Sequence, residues 1–366
     1  TPPSAVVVTP AAAGAGVIST HTITTAADDA YSVTTADVDG DGDLDVLSAS
    51  YNDDKIAWYE NDGSETFTAH TITTAADGAI SVTTADVDGD GDMDVLAASN
   101  DDDTIAWYEN DGSGAFTAHT ITTAADAAYS VTTADVDGDG DMDVLSASLL
   151  DDKIVWHEND GSENFTEHTI STVADGAISV TTADVDGDGD MDVLSASSVD
   201  DTIAWYENDG SENFTEQTIS TTADGAYSVT TADVDGDGDL DVLSASRDDD
   251  KIAWYENDGS ESFTEHTITT AADGARSVST ADVDGDGDLD VLSASSNDGT
   301  IAWYDLNLPS TGISTLSFNS LNLVEGDRIT LTIAGGTQVQ GTIGSGSAGL
   351  DTLLTSMATD VASQTG

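Results

Sequence analysis

The octapeptide Ala-Asp-Val-Asp-Gly-Asp-Gly-Asp begins at Ala36, Ala85, Ala134, Ala183, Ala232 and Ala281, each copy 49 residues after the last. A period this regular constrains the fold more than any composition does. Each repeat must be one supersecondary unit that buries its apolar faces on its neighbours. The tryptophans keep the same step, at Trp58, Trp107, Trp156, Trp205, Trp254 and Trp303. A finer alternation runs inside it. Lys55, Lys153 and Lys251 alternate with Thr104, Thr202 and Thr300, and Tyr31, Tyr129 and Tyr227 alternate with Ile80 and Ile178, a series that Arg276 breaks. This suggests a pair of repeats used three times.

Each repeat reads as four short strands. In the first, Ser32 to Ala36 is β-branched and small, and Val46 to Ser50 is a second strand beyond an acidic loop. Ile56 to Tyr59 is apolar on both faces, as a strand packed between neighbours should be. Asn61-Asp62-Gly63-Ser64 is a turn, and Phe67 to Ile72 alternates as a half-buried strand. Four strands in a repeat of this length predict a propeller blade. The sixth repeat stops after Trp303-Tyr304 and lacks its fourth strand, whereas a strand with the same His21-Thr22-Ile23 core precedes the first repeat. The expected fold is therefore all-β. It is a six-bladed propeller over 17–308, closed when the segment 17–25 completes the last blade and so removes an exposed sheet edge.

The acidic loop has the spacing a hard cation needs. Calcium takes six to eight oxygens at about 2.3–2.6 Å, and a tight loop can point alternate residues inward. In the first repeat Asp37, Asp39 and Asp41 supply side-chain ligands, Asp43 its backbone carbonyl, and Asp45 closes the shell, while Gly42 permits the sharp turn. The same positions recur as Asp86, Asp88, Asp90, Asp92 and Asp94, then Asp135, Asp137, Asp139, Asp141 and Asp143. They recur again as Asp184, Asp186, Asp188, Asp190 and Asp192, as Asp233, Asp235, Asp237, Asp239 and Asp241, and as Asp282, Asp284, Asp286, Asp288 and Asp290. The expected cofactor is calcium, about six ions, one per blade. The loop is not an EF-hand, because its twelfth position is Ser48 and no helical pattern flanks it. Magnesium prefers octahedral sites that keep their waters, and zinc and copper prefer nitrogen or sulfur, which the loops lack.

Charge narrows the partners. There are 72 acidic residues against 6 basic ones, a formal net charge of -66. No basic patch exists for nucleic acid or anionic lipid. No apolar run approaches the roughly 20 residues of a membrane helix, so direct membrane insertion is not expected. Cysteine is absent, so no disulfide framework holds the fold.

The text DVDGDGDLDVL followed by IAWYEN resembles the FG-GAP/VCBS repeat family, the group that includes the propeller of integrin α subunits. The resemblance covers about Val17 to Leu306. It implies a propeller blade with the calcium loop between its first and second strands, and it implies the ligand positions named above. This chain departs from integrins in offering six blades rather than seven and in lacking the literal Phe-Gly and Gly-Ala-Pro motifs.

Other residues read more plainly. The tryptophans lie mid-strand beside Ile and Ala, which suits blade-to-blade core better than sugar-stacking platforms. His21, His70, His119, His168 and His266 recur at one strand position, with Gln217 at the remaining one, and read as partly exposed outer-strand residues. His157 takes the place of Tyr59. No GxSxG, HExxH or phosphate-cradling loop occurs, so no enzyme is expected. Residues 1–16 read as a linker or exchangeable strand. Residues 309–366 read as a small β-rich segment whose Leu350, Leu353, Leu354, Met357 and Val361 fit a short helix. The start at Thr1 suggests a mature or excised segment of a larger product. Together these features suggest a secreted, cell-surface structural or adhesion module, one unit of a bacterial layer, sheath or filament. Its partners would be other protein subunits, including further copies in a homo-polymer, or surface glycans. A lectin and an accessory domain of an extracellular enzyme are the alternatives.

Overall fold

Alternating β-branched segments joined by Gly- and Asp-rich turns favour meandering antiparallel sheets. A computed structural model of the chain, which describes residues 21–64, 66–306, 328–332 and 338–342, forms them. Blade 1 consists of β1 (Ala30–Ala36), β2 (Asp45–Ser50), β3 (Lys55–Asn61) and β4 (Phe67–Thr73), adjacent in that order. Leu47 pairs with Trp58, and Trp58 with His70. Four more blades repeat this sheet at the same step. The sixth holds Ala275–Ala281, Asp290–Ser295 and Thr300–Tyr304, three strands among the described residues. The result is an all-β, six-bladed propeller. Among the described residues there is no helix, and none long and apolar enough to cross a membrane. A second unit, Ile313–Gly366, contains an antiparallel pair, Arg328–Thr332 with Gln338–Thr342, and its expected short helix lies outside the described residues.

The seams between blades are the core. At the first seam Val38, Leu47, Ile56 and Trp58 of blade 1 pack on Ala79, Val82, Val95 and Tyr108 of blade 2. Trp107, Trp156 and Trp205 are fully buried at later seams, as core residues rather than sugar platforms. Replacing such a side chain leaves a cavity that the rigid sheets cannot fill, so Trp205→Ala is expected to cost about 3–5 kcal/mol in urea unfolding.

The innermost strands pack in chain order from β1 to Ala275–Ala281. Between the last blade and the first the pattern changes. Val33 is 69% exposed and its five counterparts, Val82 to Val278, are each 5% exposed. Ile301 is 77% exposed where Ile56 is fully buried, and Trp303 and Val283 are each 45% exposed. The strand expected to complete blade 6 spans 17–25. Its first four residues lie outside the described set, and 21–25 carry no strand.

Candidate metal centre

Each acidic loop joins the innermost strand of a blade to the next one, so all six lie at the same end of the ring. Gly42 sits at φ +95°, a left-handed conformation that side chains strain to adopt, and its N–H donates to Asp37 Oδ2 at 3.0 Å. The Asp41 N–H donates to Asp39 Oδ1 at 3.3 Å and the Asp43 N–H to Asp41 Oδ1 at 2.9 Å. These bonds fold the loop back on itself and gather its carboxylates. Asp37, Asp39 and Asp41 converge, as do Asp86, Asp88 and Asp90, with one oxygen from each within 4.8 Å of the others. In the next three loops the ninth position joins instead: Asp135 and Asp137 with Asp143, Asp184 and Asp186 with Asp192, Asp233 and Asp235 with Asp241.

The ninth position has a structural role in every loop. Asp45 is fully buried; its Oδ2 accepts the Val38 N–H at 3.0 Å and its Oδ1 the Asn61 N–H at 2.7 Å. It thus ties the loop to the end of β3. Asp94, Asp143, Asp192 and Asp241 repeat both bonds, and Asp290 repeats the first, to Val283 at 2.8 Å. The seventh position turns the other way. The Asp43 carboxylate lies against Gly63 of the turn after β3, where any side chain would collide with it, and Asp92, Asp141, Asp190 and Asp239 face the matching glycines. That leaves the backbone carbonyl of this position as its available ligand.

A divalent cation of the calcium type fits these residues. The donor set is all oxygen. Asp37, Asp86 and Asp184 each keep a buried Oδ1 that no protein group satisfies. Clustered carboxylates without a counter-charge repel one another, and a bound cation removes that cost.

Burial, only partly offset by the two backbone N–H groups, raises the carboxyls of Asp94, Asp143, Asp192 and Asp241 to about 6. Without metal, the folded chain therefore binds these protons more tightly than the unfolded chain. The stability they contribute is present below the ordinary carboxyl range and is lost as pH rises from about 4 through about 6. Thermal unfolding of metal-free protein is expected to show a higher midpoint at pH 4.5 than at pH 7. Saturating calcium is expected to reverse that order, because the metal binds the deprotonated form. The same order in both conditions would count against these carboxylates as ligands.

Other recurrent residues serve the frame. His70 stacks on Trp58 at 4.5 Å and meets Glu60 at 2.8 Å, and the Trp–His–Glu group recurs at His119, His168 and His266. The stack was not legible in the sequence, because His and Trp meet through cross-strand register. His157 is buried, with its Nε2 3.3 Å from Ser146 Oγ, and burial lowers its pKa to about 4. The alternating lysines reach backward: Lys55 Nζ donates to the Ala26 carbonyl at 3.2 Å and Lys251 Nζ to that of Thr222 at 2.9 Å. At the start of the innermost strands the hydroxyls of Tyr129 and Tyr227 meet. Arg276 lies over the Tyr227 ring, 4.6 Å from its centroid.

Comparison with known proteins agrees with the fold. None of the curated proteins matches the chain. Solved propellers resemble it in fold at low identity. One is an Agrocybe aegerita lectin that recognises non-reducing terminal N-acetylglucosamine, at 18% identity and TM-score 0.53, over 72% of this chain and 74% of that one. A protein from Lactobacillus plantarum gives 16% and 0.53, over 75% and 83%. A candidate 6-phosphogluconolactonase from Bacteroides uniformis gives 14% and 0.53, over 76% and 81%. At such identities these likenesses speak to the fold alone. The FG-GAP-like repeat matches five times, over residues 37–97, 86–146, 143–195, 184–244 and 233–293. With the repeat spanning most of the propeller, the chain belongs to the FG-GAP-like repeat family.

Proposed function

We propose that this chain is a calcium-loaded, non-enzymatic propeller that serves outside the cell as a structural or adhesion module. The observation that carries the reading is the repetition of one all-oxygen acidic loop in six blades, at one end of the ring. A catalytic site needs unlike groups brought together once, and the acidic pairs here are claimed by identical loops. Repetition instead yields a multivalent face, on which modest single contacts add up. Loops of this kind in extracellular modules bind at roughly 10⁻⁴–10⁻³ M and fill where calcium is millimolar, which supports a surface or secreted location. Beyond its loops the ring remains strongly acidic, so calcium can also bridge it to acidic glycans or to other subunits.

Electron microscopy of the purified chain tests this, in millimolar calcium and again after chelation. Ordered assemblies that dissolve on chelation are the expected result. Isolated particles that ignore calcium, and that bind no acidic polysaccharide in its presence, would overturn the reading.

A further inference from the structure

Five blades carry tyrosine at one position of the third strand, Tyr59, Tyr108, Tyr206, Tyr255 and Tyr304, and blade 3 carries His157. The tyrosines show what the position does. The hydroxyls of Tyr59, Tyr206, Tyr255 and Tyr304 each lie 3.2–3.3 Å from a serine hydroxyl of their own blade, Ser48, Ser195, Ser244 and Ser293. Those of Tyr108, Tyr206 and Tyr255 also bond to Thr73, Ser171 and Ser220, at the end of the outermost strand of the preceding blade. One hydroxyl thus clips two blades together across a seam.

The seam between blades 2 and 3 lacks this clip. His157 Nε2 lies 3.3 Å from Ser146 Oγ, but no hydrogen bond joins the ring to Thr122, the counterpart of Thr73. Imidazole is shorter than phenol, and His157 and Thr122 instead line a small polar pocket with Ser148, Lys153 and Glu167. The pocket has room for about one water. Ala124 and Glu167 at its rim are exposed, so protons reach it from solvent in the folded ring.

We propose that this seam is an acid-sensitive joint, at which protonation of His157 loosens blade 3 from blade 2 while the other seams hold. No counter-ion awaits the imidazolium. In its own blade, Asp151 is taken by Lys153 at 2.6 Å, Glu167 is exposed, and His168 adds repulsion. From blade 2 the pocket meets Thr122, Ala124 and Ala125, none of them charged. A buried charge without a partner is costly, and opening the seam to water relieves that cost. Burial, with His168 adding to it, accordingly lowers the pKa of His157 from 6.5 to about 4. A lowered histidine contributes stability that is fully present above pH 6.5 and is lost as pH falls toward 4. The tyrosines at the other seams stay neutral throughout that range. The joint goes beyond the adhesive reading and does not depend on it.

The test compares thermal midpoints of the wild-type chain, His157→Tyr and His157→Phe, in saturating calcium, from pH 7.5 to pH 4.5. Calcium release and the other titrations are common to all three, so differences between them report position 157. The gap between His157→Tyr and wild type is expected to widen by roughly 4 °C over this range. His157→Phe, which neither titrates nor hydrogen-bonds, should follow the pH profile of His157→Tyr at a lower midpoint. Hydrogen exchange at pH 5 locates the effect. In wild type the segment from Leu149 to His157 should exchange faster than its counterparts in the other blades, and in His157→Tyr it should not. A gap that stays constant with pH, a His157→Phe profile that follows wild type, or exchange that rises evenly through all blades overturns the proposal.

Discussion

Stripping calcium held at about 100 times its dissociation constant, roughly 10 mM for sites of about 10⁻⁴ M, is expected to lower the thermal midpoint at pH 7 by roughly 25–30 °C. A ligand at about 100 times its dissociation constant stabilises the folded state by roughly 2.7 kcal/mol per site, so six loops give about 16 kcal/mol. Unfolding entropy near 2.1 cal/mol/K per residue, over the about 275 residues from Ala30 to Tyr304, converts that into the stated shift. Domains are commonly stable by about 5–15 kcal/mol. The metal-free chain should therefore sit near its unfolding limit at neutral pH, where its acidic residues also repel one another. Near-ultraviolet circular dichroism follows it directly, because five of the six tryptophans are buried at the seams. A midpoint that moves by only a few degrees on chelation would show that the loops hold themselves together without metal.

The second large effect belongs to a single carboxylate. Asp192→Ala is expected to destabilise the metal-free protein by roughly 4 kcal/mol at pH 4.5, where the buried carboxyl is neutral and carries no charge-burial cost. Asp192 Oδ2 accepts the Val185 N–H at 3.0 Å and its Oδ1 the Asn208 N–H at 2.8 Å, in a fully buried position. Truncation leaves two buried donors unsatisfied, at about 1–3 kcal/mol each. Asp192→Asn keeps one acceptor and turns an N–H toward the other donor, so it should fall between wild type and alanine. Asp190→Ala provides the contrast. Its carboxylate lies against Gly210 and outside the cluster, and its loss should cost no more than about 0.5–1 kcal/mol. Urea midpoints of the three variants, in chelator at pH 4.5 and in calcium at pH 7, separate the structural role from the ligand role. Equal losses for Asp190→Ala and Asp192→Ala would contradict this division.

The blades were legible because their causes are local. The strand at Phe67–Thr73 alternates, the one at Lys55–Asn61 is apolar on both faces, and turn residues separate them, so short windows suffice. The gathering of Asp37, Asp39 and Asp41 was legible for the same reason. The structural tie made by Asp45 was not, because one of its partners, Asn61, stands 16 residues away across two strands. Nor could spacing reveal that Asp43 turns toward Gly63, which depends on where the next turn falls in space. The last seam shows the same limit at larger scale. Counting strands balances six blades, but whether the sixth face reaches the first depends on the sum of five seam angles, and no residue pattern encodes that sum.

The most direct test is the number of calcium ions bound per chain, measured by isothermal titration of metal-free protein at pH 7 with millimolar magnesium present. Six ions per chain are expected, falling to five in the double variant Asp135→Asn, Asp137→Asn, which removes two ligands from one loop and leaves Asp143 in place. Binding of fewer than one ion at millimolar calcium, or a count unchanged in the double variant, would contradict the assignment of these loops as calcium sites.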